Sequence, residues 1–363
     1  MIVRLTTPLA SLAARLRSGS LLRGAGPRER QIALYSGALL ALAAVALTSG
    51  EGAPARKLDQ VTQSWVVPIT TEASGVAHTA SQWLDGIRPS HWWPDRQAET
   101  TPSPHTVDSM AGQFAAAGFE LEDIRSGQAE VPRVFLSALP VDMPGVTETD
   151  KRKRMFIAAI LPLVLKSNEK ILADRERLMR VVDRIQLGLA LKPADDEWLS
   201  DTAELYGVDR NDLAELKRRI DIIPPSLALA QAAEESGWGT SRYALVGNAV
   251  FGQYAVGDKG NMIPAARGEG QTHSIRAFDA LGMSVDGYMR NLNSHFAYGE
   301  FRKKRERYRA EEREIDSKGL LQTLTRYSAR GQDYIRTINT IMRVNQLDHF
   351  DRARLQWQQA SIE

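Results

Sequence analysis

The chain of 363 residues has no cysteine. That excludes a disulfide framework, thiolate metal sites and a cysteine nucleophile. Histidine is scarce: six residues, dispersed, with no pair spaced to share a metal on one helix face. There is no Gly-x-Ser-x-Gly elbow and no Walker loop. The glycines around residues 257–270 lack the strand–loop–helix setting of a nucleotide site. The formal net charge is only +2, so no nucleic acid or other polyanion is expected as a partner from the total. No metal or other cofactor is expected. The remaining source of chemistry is the carboxylates.

Hydrophobic residues make up 43% of the chain, enough for one sizeable domain with appendages or two small domains. Residues 1–31 hold six arginines against one acid, Glu29. Ile32 to Leu47 is then nearly charge-free, and with small residues up to Gly50 it approaches the ~20 positions that cross a bilayer. The basic flank places the N-terminus in the cytoplasm and the rest outside. We expect 1–31 as a cytoplasmic segment and 32–50 as an uncleaved signal anchor in the inner membrane. Signal cleavage with release to the periplasm is the alternative. Residues 50–146 carry nine of the sixteen prolines with weak periodicity. We expect a loosely structured linker over 51–129, with a short helix and a strand somewhere in 111–145. Trp92-Trp93 is a candidate stacking pair, though such pairs more often dock on a neighbouring surface.

A helical domain is expected over 130–355. Thr147-Glu-Thr-Asp150 reads as a capping box, Met155 to Leu165 as a buried helix kinked at Pro162, and Leu178, Val182 and Ile185 as the stripe of the next element. Ala194 to Tyr206 and Leu213 to Ile220 read as two more helices. Residues 253–278 have strand-and-turn composition, with a strand over 272–278. The helical period returns at Leu281 with Val285, Tyr288, Met289 and Leu292. Phe301 to Arg313 is dense in charges of both signs and reads as a solvated face, where Arg302 to Arg305 could meet an anionic polymer. Ile335, Ile338 and Met342 form the last stripe.

The domain turns on Ile223-Pro-Pro-Ser-Leu-Ala-Leu-Ala-Gln-Ala-Ala-Glu-Glu-Ser-Gly-Trp-Gly239. Pro224 and Pro225 suit a helix start, Leu227 to Ala233 is almost wholly apolar, and Gly237 suits the stop. Glu234 and Glu235 fall on the last turn, the wrong end of the helix dipole for a carboxylate. A buried glutamate beside a tryptophan is a way to keep a proton at neutral pH. Solvated helix-end glutamates are the plainer reading, and spacing does not choose between them. Carboxylate chemistry of this kind points towards glycosidic bond cleavage.

Ala230-Gln-Ala-Ala-Glu-Glu-Ser-Gly-Trp-Gly239 closely resembles the signature of the glucosaminidase family of bacterial peptidoglycan hydrolases, glycoside hydrolase family seventy-three. Asn248-x-x-Phe-Gly252 and Arg276-x-Phe278 follow in the family's order. Tyr288-Met-Arg-Asn-Leu-Asn-Ser-His295, Ala297-Tyr298 and the Pro-Pro-Ser leader are similar to its Bax subgroup. The resemblance covers about residues 130–350. It implies a lysozyme-like α+β fold, mainly α, with a small β-lobe walling a cleft. It implies catalysis by Glu235, the glutamate before Ser-Gly-Trp. It implies a second carboxylate on the β-lobe, for which Glu269 is the candidate and Asp258 the fallback. A tyrosine lines the family's cleft, and Tyr327 fits better than Tyr334. Asn248, Phe251, Trp238 and Tyr288 are the substrate-binding candidates, with Trp238 serving either packing or a sugar. The implied substrate is the peptidoglycan glycan strand, cut as by an endo-β-N-acetylglucosaminidase. A muramidase or lytic transglycosylase, an inactive wall-binding module and an endoglycosidase acting on host glycoproteins are the alternatives.

Overall fold

A computed structural model describes residues 106–256, 261–263 and 273–357. All of them belong to one unit of the chain, 66–363; the other unit, 1–65, lies outside the described residues. The expected anchor over 32–50, Trp92-Trp93 and most of the expected linker also lie outside them. Among the described residues no helix is long and apolar enough to cross a membrane.

The architecture is mainly helical with one small sheet. In chain order it runs α1 (Val107–Ala116), α2 (Leu121–Arg125), α3 (Thr149–Gln186), α4 (Pro193–Tyr206), α5 (Leu213–Arg219), α6 (Pro225–Ser236) and α7 (Arg242–Gly247). The strands β1 (Tyr254–Val256), β2 (Asn261–Met262) and β3 (His273–Arg276) follow, and α8 (Leu281–Ser294), α9 (Gly299–Ala310), α10 (Ser317–Leu321) and α11 (Gln332–Val344) complete it. A last 3₁₀ turn spans Leu347–Arg352.

The middle of the domain is α6, buried from Pro225 through Ala233. Its boundaries follow from sequence chemistry. Pro225 needs no N–H partner in the first turn, and Gly237 leaves the helix in the left-handed region at φ 59°. The first turn is capped from far away: Asp351 accepts from the backbone N–H of Ser226 at 2.8 Å and from its hydroxyl at 2.9 Å. That carboxylate stands at the positive end of the helix dipole. Against α6 pack α3, α11 and the last 3₁₀ turn.

Three expectations need correction. First, the packed domain begins before residue 130. Val107, Met110 and Phe114 of α1 and Leu121 and Ile124 of α2 join the same core, so residues 107–125 are not linker. Periodicity missed them because two turns of apolar residues leave a weak signal beside so many prolines. Second, the apolar run and the following stripe are one helix of 38 residues, roughly 57 Å at 1.5 Å per residue, with Pro162 inside it. Its N-cap is Glu148, without a side-chain bond, so the capping box at Thr147 does not form.

Third, Phe301 to Arg313 is only partly a solvated face: Lys303, Arg307 and Arg309 to Arg313 are exposed, but one side of α9 is buried. Arg302 and Arg305 are 3% and 0% exposed and lie with Phe301 and Tyr308 on its buried side. Their guanidinium groups serve carbonyls at and just beyond the C-terminal ends of other helices, which lack partners within the helix. Arg302 donates to Leu292 and His295 carbonyls at the end of α8. Arg305 donates to the carbonyls of Arg218, Asp221 and Ile222 and to Asn293 Oδ1. Burial lowers the Arg305 guanidinium to about 10. Burial alone pushes the adjacent Asp221 carboxyl up, but Arg305, Arg309 and Arg175 outweigh it and hold it below the usual range. Neither arginine is open to an anionic polymer.

The sheet is antiparallel in the order β1-β3-β2, with Tyr254 opposite Ile275 and Met262 also opposite Ile275 on the other side. Ala249, Met262, Ile275 and Phe278 form its own small core. Asn248 ties this lobe to the helices: it turns the chain out of α7 at φ 50° and donates through Nδ2 to the Phe278 carbonyl at 3.0 Å.

Candidate active site

The turn after α6 explains each residue of Glu-Ser-Gly-Trp-Gly. Ser236 donates to the Ala232 carbonyl at 2.6 Å and accepts from the Gly239 N–H at 2.9 Å, pinning the turn to the helix. Gly237, Trp238 and Gly239 all have positive φ. For Trp238, at φ 58°, this is an uncommon conformation that the surroundings must enforce. Its ring packs edge-on against Phe156 at 5.8 Å, with the Lys153 ammonium 5.2 Å from the ring centre. Gly239 has φ 79°, where a side chain is strained, and a Cβ there would also crowd Leu139 at 2.9 Å and Phe156 at 3.0 Å. The turn fixes the end of α6, and with it the two glutamates.

Those two differ sharply. Glu234 accepts a bond from Arg330 at 2.6 Å, and Arg330 also donates to Thr337 at 2.7 Å. Glu234 therefore clamps α6 to the start of α11. Glu235 instead sits among tyrosines. Tyr334, 1% exposed, donates to Glu235 Oε1 at 3.0 Å. Behind it, Gln231 Nε2 donates to the Tyr334 hydroxyl at 2.9 Å, and Tyr288 donates to Gln231 Oε1 at 2.8 Å. Gln231 lies four residues before Glu235, one turn back on the same face.

This chain has a direction. The Tyr288 hydroxyl fixes Gln231 Oε1 as the acceptor, so the amide nitrogen faces Tyr334 and the Tyr334 proton points at Glu235. Oε1 is thereby an acceptor, and a proton on the carboxyl belongs on Oε2. A Cβ placed on Gly252 would stand 3.5 Å from that Oε2. Gly252, at φ 57°, thus leaves bare backbone beside the proton-bearing oxygen.

Burial raises the Glu235 carboxyl to about 7; Tyr334 opposes this, nearby Glu234 adds to it, and Arg330 opposes it. Burial dominates because the surroundings are aromatic. Tyr327 stacks on Tyr334 at 5.4 Å and meets Tyr288 edge-on at 6.5 Å, while Phe251 stacks on Tyr288 at 4.0 Å.

The expected residues are thus distributed unevenly. Glu235, Tyr288, Phe251 and Tyr327 come together, but Tyr288 and Phe251 are 0% and 3% exposed and form the backing of the site, not its open surface. Tyr327 supplies a ring, while Tyr334 supplies the hydroxyl at Glu235. Trp238 packs on Phe156, and Asn248 braces the β-lobe. Glu269 and Asp258 lie outside the described residues. Gln231 was not singled out from sequence, although its position one turn before Glu235 was a usable signal. Among the described residues no cluster of three or more His, Asp or Glu could hold a metal.

A carboxyl that keeps its proton near neutral pH can give it to a leaving oxygen, as cleavage of a glycosidic bond requires. The class this chemistry fits is that of the acid-assisted glycoside hydrolases. A family model described as Glucosaminidase, mannosyl-glycoprotein endo-beta-N-acetylglucosaminidase, matches residues 210–347. The Protein bax of Escherichia coli (strain K12) is 32% identical over 204 residues, which is 54% of this chain and 71% of that protein. The crystal structure of the catalytic domain of the autolysin Auto from Listeria monocytogenes is 19% identical; the match takes in 47% of this chain and 96% of that one, with a TM-score of 0.28. The chain belongs to the glucosaminidase family, glycoside hydrolase family seventy-three, among its Bax-like members. That membership implies glycoside hydrolase activity.

Proposed function

We propose that this chain hydrolyses β-1,4 glycosidic bonds in peptidoglycan glycan strands as an endo-β-N-acetylglucosaminidase. Glu235 is the general acid, protonating the leaving oxygen from Oε2. Tyr334, held by Gln231, stabilises the carboxylate left behind. The observation that carries the reading is the Glu235 carboxyl, half-buried at the end of α6 among aromatic rings, with its pKa raised to about 7. A second carboxylate, Glu269, assists from the β-lobe by positioning water or stabilising charge. An inverting course would need it roughly 6.5–9.5 Å from Glu235. The fold is of the lysozyme type, helices on one side of a cleft and the small sheet on the other. An anchor over 32–50 and a tether leading to α1 hold the domain on the periplasmic face of the inner membrane.

The test is digestion of purified peptidoglycan with product analysis by mass spectrometry. Fragments with N-acetylglucosamine at the reducing end are expected. N-acetylmuramic acid or anhydromuramic ends would assign the other linkage, to a muramidase or a lytic transglycosylase respectively. Glu235→Gln should release no fragments. If it digests the wall like the parent, Glu235 is not the acid.

A further inference from the structure

The turn joining α3 to α4 carries features that the catalytic site does not use. Ile185 to Leu191 reads Ile-Gln-Leu-Gly-Leu-Ala-Leu, seven residues without charge. Leu187 is 73% exposed, Leu189 50% and Ile185 39%. Three aliphatic side chains in five residues, all standing in water, differ from the single exposed leucines common on any protein surface. The turn is also well fixed. Gly188 reverses the chain at φ 69°, its N–H bonds the Ile185 carbonyl at 3.0 Å, and the Leu189 N–H bonds the Arg184 carbonyl at 2.9 Å. Arg184 in turn donates to the Ala190 carbonyl at 2.7 Å. The apolar tip is therefore presented in one shape, with its ordering cost already met.

Cations outnumber carboxylates beside the tip. Arg177, Arg180, Arg184 and Lys192 line a cleft of 390 Å³ beside it, against two carboxylates, Asp183 and Asp195. Arg177 is committed to Asp195 at 3.0 Å. Arg180 and Lys192 are exposed.

We propose that this tip docks on an anionic lipid surface, with Ile185, Leu187 and Leu189 entering the headgroup–acyl boundary and Arg180 and Lys192 meeting lipid phosphates. A convex point with three aliphatic side chains is too small for a stable protein interface, which buries on the order of 1,600 Å². It is sufficient for a bilayer surface, where a few apolar side chains and a few cations act together. Charge complementarity selects anionic over neutral lipid.

The absence of cysteine makes the test direct. A single label is placed at exposed Ala190 through Ala190→Cys in the full chain, and its fluorescence quenching by doxyl lipids is read in vesicles. Quenching should rise severalfold between pure phosphatidylcholine and a 7:3 mixture with phosphatidylglycerol. Leu187→Asn with Leu189→Asn should cut it at least threefold, and Arg180→Glu with Lys192→Glu should remove the dependence on phosphatidylglycerol. A label at exposed Val344 on α11 should stay unquenched. Equal quenching at both labels, or none at Ala190, overturns the proposal. So does quenching that the charge reversals abolish but the two Leu→Asn changes leave at the parent level, which would make the contact purely electrostatic with no insertion of the tip. Disulfide-linked dimers of the unlabelled Ala190→Cys variant that need Leu187 and Leu189 would instead make the tip a contact between copies of the chain. Unchanged thermal unfolding of these surface variants excludes a folding defect as the cause.

Discussion

Replacing Tyr334 with Phe removes one hydrogen bond from the Glu235 carboxylate and leaves the stacked rings in place. A bond to a charged acceptor is worth roughly 1.5–3 kcal/mol, and one pH unit corresponds to about 1.36 kcal/mol. The Glu235 proton should then bind more tightly by about one to two pH units. The sign is set by geometry. Tyr334 donates to the ionised form, so its loss favours the protonated form and moves the alkaline limb of the kcat/KM profile upward from near 7. The variant should also be slower at its optimum, by about three- to tenfold, because a weaker acid transfers its proton less readily. The assay is turbidity loss of purified peptidoglycan between pH 5 and 10. Tyr327→Phe is the control, since that ring stacks on Tyr334 and its hydroxyl is not the one at Glu235. The reasoning fails if the Tyr334→Phe limb coincides with the parent limb, or if Tyr327→Phe moves it as far.

Gln231→Leu should move the same limb in the same direction but less, because Tyr334 keeps its bond to Glu235 while losing the donor that orients it; a profile identical to the parent would remove Gln231 from the chain. Glu235→Gln should stabilise the fold above neutral pH. The raised carboxyl costs stability as pH climbs from 4.5 through about 7, so the variant's advantage should grow by about 3 kcal/mol between pH 4.5 and 8, seen as several degrees in thermal unfolding. Parallel curves at the two pH values would show that Glu235 is not held protonated by burial. Arg305→Met should cost about 3–5 kcal/mol in urea unfolding, since it removes a buried charge and leaves five acceptors without its guanidinium; a loss below about 1 kcal/mol would make the network dispensable.

The core helix was legible because its two ends are written in residues with narrow backbone preferences. Pro225 and Gly237 mark the start and stop of α6, and Gly207 does the same for the end of α4. The sheet was legible as a change of period, although its β3 strand is shorter than the expected 272–278. The buried arginines of α9 were not legible. At residues 301, 302, 305 and 308 the inward positions are two aromatic and two charged side chains, so hydropathy reads the face as solvated. Only the distant carbonyls that need donors explain them. The two tyrosines show a different limit. Tyr327 and Tyr334 stack on each other, and which hydroxyl reaches Glu235 depends on the entry of α11 and not on any local pattern. The resemblance separates Glu235 from Glu234, but the physical ground for it, the Arg330 bond to Glu234, comes from almost a hundred residues downstream.

The helix that carries Glu235 is fastened at both ends by the last part of the chain. Asp351 holds its first turn, while Arg330 and Tyr334 hold its last. During synthesis the glutamate therefore emerges long before the groups that seat it. A nascent or prematurely terminated chain ending before residue 330 has the signature in full but neither the clamp nor the hydroxyl. On the proposed role of Glu235, its seating would then be complete only when α11 and the final 3₁₀ turn pack against α6.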